Sequence, residues 1–76
     1  MKYKELKEIV ADVLNIDIEE VVEETPLEDL NIDSLELIEI VMRIEDAIDT
    51  SLSDDMLEEF KVLSLKEIQE KLEDLI

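Results

Sequence analysis

The sequence predicts an all-α fold, a four-helix bundle of three main helices and one short one, with a long loop after the first helix. Three observations predict it. The 76 residues contain no Gly and one Pro, and only 3% are aromatic. A β fold needs many Gly-bearing turns, so this composition disfavours one. Apolar residues recur at helical spacing in separate segments, and two of those segments open on a capping box. A chain of this length forms one domain, expected to span residues 1–76.

Residues 2–14 place Leu6, Ile9, Val10 and Val13 at helical spacing, and Asn15 suits a left-handed C-terminal cap. Residues 16–33 are mixed, and Pro26 argues against helix at Thr25. They read as a long loop pinned to the core by Ile18, Val21, Val22, Leu27 and Leu30, and such loops are often functional. Asp33 is a good N-cap with Glu36 three residues on, so a second helix is expected over 34–49. A short helix over 54–60 follows, capped by Ser53, with Met56, Leu57 and Phe60 inward. Ser64 opens the last helix with Glu67 completing its box, and Ile68, Leu72 and Leu75 form its stripe.

The second helix carries two apolar faces. At ~100° per residue from Leu35, the residues Leu37, Ile40, Val41, Ile44, Ala47 and Ile48 fall within roughly 60° of the opposite pole, a complete core stripe. Leu35, Ile38 and Met42 lie on the far side, beside Glu36 and Glu39, with Glu45, Asp46 and Asp49 further along. A second apolar face rimmed by carboxylates fits a docking surface for a partner with an apolar hollow ringed by Lys and Arg. Arg43 sits at its flank, placed to pair with Glu39 or Asp46.

Charge and composition narrow the function. The net charge is −17, from 24 acidic and 7 basic residues, which repels nucleic acid and anionic membrane and favours basic partners. The absence of His excludes a Ser-His-Asp arrangement, and the absence of Cys excludes disulfides and thiolate metal sites. No catalytic residue stands out and no enzyme is expected. Asp49–Asp54 alternates oxygen-bearing residues but lacks the sixth-position Gly and has Phe60 where an EF-hand places Glu, so no metal site is expected. The N-terminal residues Met1–Glu5 lack the apolar run of a signal peptide, and the expected compartment is the cytoplasm.

Ser34 occupies the start of the second helix, where unpaired N–H groups and the helix dipole hold a phosphate. A serine there suits an attachment point. Asp33 beside it can bind a cation or a basic residue of a modifying enzyme.

Leu27-Glu28-Asp29-Leu30-Asn31-Ile32-Asp33-Ser34-Leu35 resembles the phosphopantetheine attachment motif of the acyl carrier protein family. Glu39–Asp46 and Asp49-Thr50 resemble the family's recognition helix, and Val13–Asp17 and Thr25-Pro26-Leu27 also fit. The resemblance covers essentially the whole chain. It implies that Ser34 receives 4′-phosphopantetheine from coenzyme A through a phosphopantetheinyl transferase, with Asp33 adjoining. The arm's thiol then holds acyl intermediates as thioesters for acyl-transfer, condensing and reducing enzymes of fatty-acid or related synthesis. Leu35, Glu36, Ile38, Glu39, Met42 and Glu45 would face those partners, with Arg43 and Asp46 at the rim. The aliphatic core, including Leu37, Ile40, Ile44, Leu57 and Ile68, would open to shelter an acyl chain. No nucleic-acid partner or membrane insertion is expected, and the carrier is expected to be a monomer.

The chain departs from the family in four places. Asn31 stands for the usual Gly, Arg43 for a small or apolar residue, and Ser53 for Pro before the third helix; Lys61–Leu65 is slightly longer than usual. Asn tolerates positive φ, so the turn at Asn31 is expected to survive. The rival reading is an acidic helical interaction module without a prosthetic group. It shares the charge and the second face but leaves the serine unexplained. Polyketide and aminoacyl carriers share the fold and motif, so the cargo stays open.

Overall fold

A computed structural model of the chain describes residues 1–75. The element order is α1 (Tyr3–Leu14), two 3-10 turns (Ile18–Glu20 and Leu27–Leu30), α2 (Ser34–Ile48), α3 (Asp54–Val62) and α4 (Leu65–Leu75). No strand occurs among the described residues, only an isolated bridge between Pro26 and Ser64.

The helix ends follow local side-chain chemistry. Asn15 closes α1 in the left-handed region at φ 57°, donating to the carbonyls of Ala11 and Asp12. Asp49 closes α2 the same way at φ 53°. Ser53 Oγ accepts from Met56 N–H at the start of α3. Ser64 and Glu67 form the reciprocal box that opens α4, at 3.0 and 3.3 Å. Those bonds hold the Glu67 carboxyl below its ordinary range. Each capped end satisfies amides or carbonyls the helix itself leaves unpaired.

The core is aliphatic with one aromatic. Leu6, Val10, Leu37, Ile40, Val41, Ile44, Leu65, Ile68 and Leu72 converge on Phe60. α1 packs on α2 and α4, while α3 lies against α2 and the second 3-10 turn. The long connection is pinned by backbone as well as side chains. Leu27 N–H donates to Leu63 O and Lys66 N–H to Glu23 O, both at 3.1 Å, beside the Pro26–Ser64 bridge.

Several details depart from the sequence reading. The loop over 16–33 holds two 3-10 turns. Val21 is buried but Val22 is exposed, because the two are neighbours in extended chain and point to opposite sides. α2 ends one residue early, at Ile48, and α3 runs to Val62 rather than residue 60. Ala47, at the margin of its stripe, is exposed in a groove beside Ile9. Leu75 is exposed because the last turn of α4 extends beyond the core cluster. No described helix is long and apolar enough to cross a membrane.

Candidate functional site: the start and outer face of the second helix

The second 3-10 turn and Asn31 aim the chain into α2. Leu27 is buried and Leu30 half-buried, which fixes the turn to the core. Asn31 then reverses the backbone at φ 61° and ψ 29°. A β-branched residue resists this left-handed geometry, whereas Asn visits it readily. The turn therefore survives without glycine. Ile32 is half-buried, leaving Asp33 and Ser34 exposed at the helix start.

Asp33 fixes the first turn. Its Oδ1 accepts from Glu36 N–H at 2.7 Å, and Glu36 Oε1 accepts from Asp33 N–H at 3.1 Å. The first intrahelical bond runs from Leu37 N–H to Asp33 O. The capping box therefore takes the amides of Asp33 and Glu36 and leaves those of Ser34 and Leu35 without an intrahelical acceptor. Exposed amides and the positive end of a 15-residue helix beside an exposed hydroxyl fit a phosphate ester on Ser34. Asp33 is committed to capping by one oxygen.

The outer face of α2 is apolar where the periodicity placed it. Leu35, Ile38 and Met42 are 77%, 42% and 58% exposed, while Leu37, Ile40, Val41 and Ile44 are buried on the opposite side. Glu39 and Asp46 are exposed and Glu36 half-buried around the patch.

Two residues expected on the docking face are engaged within the protein. Arg43 reaches across to α1, pairing with Asp12, and holds Glu39 at 3.6 Å; its partner is Asp12 where Asp46 was an expected candidate. The Asp12 carboxylate is the main reason the Arg43 guanidinium is held above its ordinary range. Glu45 is half-buried, and its Oε2 accepts from Leu52 N–H at 2.7 Å. Periodicity within one helix carries no signal for either partner, because both lie on other segments.

Of the residues expected around an acyl chain, Leu37, Ile40, Ile44 and Ile68 are close-packed in the core, and Leu57 is half-buried. Leu57 lines a cleft of about 190 Å³ between α2 and α3, with Ile38, Val41, Met42, Glu45 and Leu52. A second apolar cleft of about 270 Å³ lies beneath the approach to the serine, lined by Val10, Leu14, Val21, Leu27 and Leu30, with Asn31 and Glu36 at its rim. A larger concavity, about 580 Å³, is a broad shallow groove between α1 and Arg43 that includes none of Asp33, Ser34 or Leu35. The site therefore lies at a helix end and an exposed face. Among the described residues no group of three or more carboxylates is arranged to hold a metal ion.

The family model for the phosphopantetheine attachment site matches residues 4–71. An acyl carrier protein of Clostridium perfringens (strain 13 / Type A) is 36% identical over 62 residues, spanning 80% of this chain and 82% of the relative. That of Sulfurovum sp. (strain NBC37-1) is 39% identical over 57 residues, spanning 74% and 76%. That of Buchnera aphidicola subsp. Schizaphis graminum is 38% identical over 53 residues, spanning 68% and 67%. With a family model covering nearly the whole sequence and relatives of matching length, the chain belongs to the phosphopantetheine-binding acyl carrier protein family.

Proposed function

We propose that Ser34 is the residue through which this protein carries its prosthetic group, and that the outer face of α2 is where modifying and synthetic enzymes dock. As a member of its family the chain carries acyl groups as thioesters on a covalently attached 4′-phosphopantetheine, and acts as a carrier rather than a catalyst. The group supplies the thiol, which a chain without Cys does not have. The observation that carries the assignment to Ser34 is its position. It is exposed at the first residue of α2, beside amides without intrahelical acceptors and at the head of the Leu35–Ile38–Met42 patch.

The chain's own residues bind and orient. Asp33 and Glu36 fix the first turn, so the hydroxyl is presented from a rigid helix end rather than a mobile loop. Leu35, Ile38 and Met42 offer apolar contact, and Glu39 and Asp46 offer charge to basic groups of a phosphopantetheinyl transferase or a synthase enzyme. The strong negative charge supports a fatty-acyl cargo. A single domain fits a core cluster that draws on all four helices.

The test is intact mass after incubation with coenzyme A and a broad-specificity phosphopantetheinyl transferase. Wild type is expected to gain one phosphopantetheinyl group, and Ser34→Ala none, with its helical content unchanged. A Ser34→Ala variant that still gains the group would refute the assignment.

A further inference from the structure

We infer that Asp12, on α1, is a positioning residue for partner recognition. It draws Arg43 back from the outer face of α2, and so leaves Glu39 and Asp46 to the basic groups of a docking enzyme. The inference rests on the docking role given above to that face, and adds to it a residue from another helix.

Arg43 is the one basic residue of α2, and it stands between the acids that the outer face offers. Glu39 lies four residues before it and Asp46 three residues after, both exposed. Those are the spacings at which side chains on one helix meet. The planar guanidinium can hold two carboxylates at once. An Arg left to its own helix would therefore pair with these acids and cancel charge that a basic partner needs.

The structure sends the guanidinium the other way. Its Nη1 donates to Asp12 Oδ2 on α1, 31 positions away in sequence. Only Nη2 stays near Glu39, at 3.6 Å, longer than a hydrogen bond. Asp46 makes no ion pair among the described residues. The half-buried Arg43 side chain lies in the groove between the two helices, where it and Ile9 line two concavities. Glu8, one turn earlier on α1, lines the same two concavities, yet the hydrogen bond goes to Asp12. α1 and the docking face compete for one cation, and Asp12 decides the contest. Removing its carboxylate hands the guanidinium to Glu39 and Asp46.

Titration of tetralysine into the full chain without its prosthetic group, followed by NMR at the Glu39 and Asp46 amides in low salt, tests this. Asp12→Ala is expected to weaken binding there about two- to fivefold, the range for one exposed ion pair. Glu8→Ala removes an equal charge from the same helix and should weaken it less. Asp12→Glu should restore the wild-type affinity. In an Arg43→Gln background, Asp12→Ala should do no more than Glu8→Ala does. With a broad-specificity phosphopantetheinyl transferase, Asp12→Ala should raise KM by a similar factor and leave kcat unchanged. A bridge that only joined α1 to α2 would change the melting temperature and leave KM alone. The inference is overturned by tetralysine that leaves Glu39 and Asp46 unperturbed in wild type, by unaltered affinity or KM in Asp12→Ala, or by an equal loss in the Arg43→Gln background. A Ser34 that does not load would refute the carrier reading, while the tetralysine titration still decides the role of Asp12.

Discussion

Replacing Asp49 by Asn should stabilise the protein, although Asp49 caps its own helix. The residue closes α2 in the left-handed region at φ 53° and ψ 43°, with its N–H on Glu45 O. Its carboxylate therefore sits at the negative end of the helix dipole, beside Glu45 and Asp46, with no basic residue in the last turn. Removing an unfavourable charge at a helix end is worth about 0.3–1 kcal/mol. Relief of the like charge four residues earlier adds about 0.2–0.5 kcal/mol. The sum, about 0.5–1.5 kcal/mol, corresponds to a rise in melting temperature of about 2–12 °C for a domain of this size. Asn retains the tolerance for positive φ, so the cap geometry survives. Asp49→Ala is the control: it removes the same charge but lacks that tolerance, and should melt below Asp49→Asn by about 1 kcal/mol or more. Thermal unfolding by far-ultraviolet circular dichroism reads both, at about 10 mM and about 1 M salt, where the Debye length is about 30 and about 3 Å. The gain should shrink in high salt. An Asn variant that melts at or below wild type in low salt would refute the reasoning, and a gain insensitive to salt would refute its electrostatic basis.

Other outcomes follow from the same structure. Asp33→Ala removes an acceptor 2.7 Å from Glu36 N–H and should cost about 1 kcal/mol, while Asp33→Asn should stay close to wild type; equal melting temperatures for all three would show that the cap contributes nothing. The net charge of −17 should make the melting temperature of wild type climb with added sodium chloride, and a flat titration would show that self-repulsion is unimportant. Glu67 has a carboxyl held below its ordinary value of 4.5, so its folded-state bonds add stability above that pH, and this is lost as pH falls through the depressed value. The stability gap between wild type and Glu67→Gln should accordingly be full near neutrality and close in acid, as urea titrations across pH would reveal; a gap independent of pH would contradict the assignment.

The parts of the fold that depend on neighbours in sequence were legible in it. Asp33 with Glu36 and Ser64 with Glu67 are three apart, so a capping box is visible as a spacing. The two faces of α2 followed from its 3.6-residue period alone, and Leu35, Ile38 and Met42 stand exposed where that period put them. What escaped depends on how elements meet. Arg43 chose Asp12, 31 residues away, because α1 crosses α2 at that point. Glu45 turned towards Leu52 because the α2–α3 connection folds back over it. Val21 and Val22 are chemically identical, and only the path of the extended segment decides which is buried. The 3-10 turns in the long connection are too short to show a period.

The tie between Pro26 and Ser64 has a consequence for the order of events during synthesis. The segment leading to Ser34 is held by Leu63 O and by Lys66 N–H, residues translated some thirty positions after the serine itself. A nascent chain that has exposed Ser34 but not yet residues 63–66 lacks the clasp that sets the approach to α2. The geometry of the helix start thus depends on the fourth helix as well as on its own sequence.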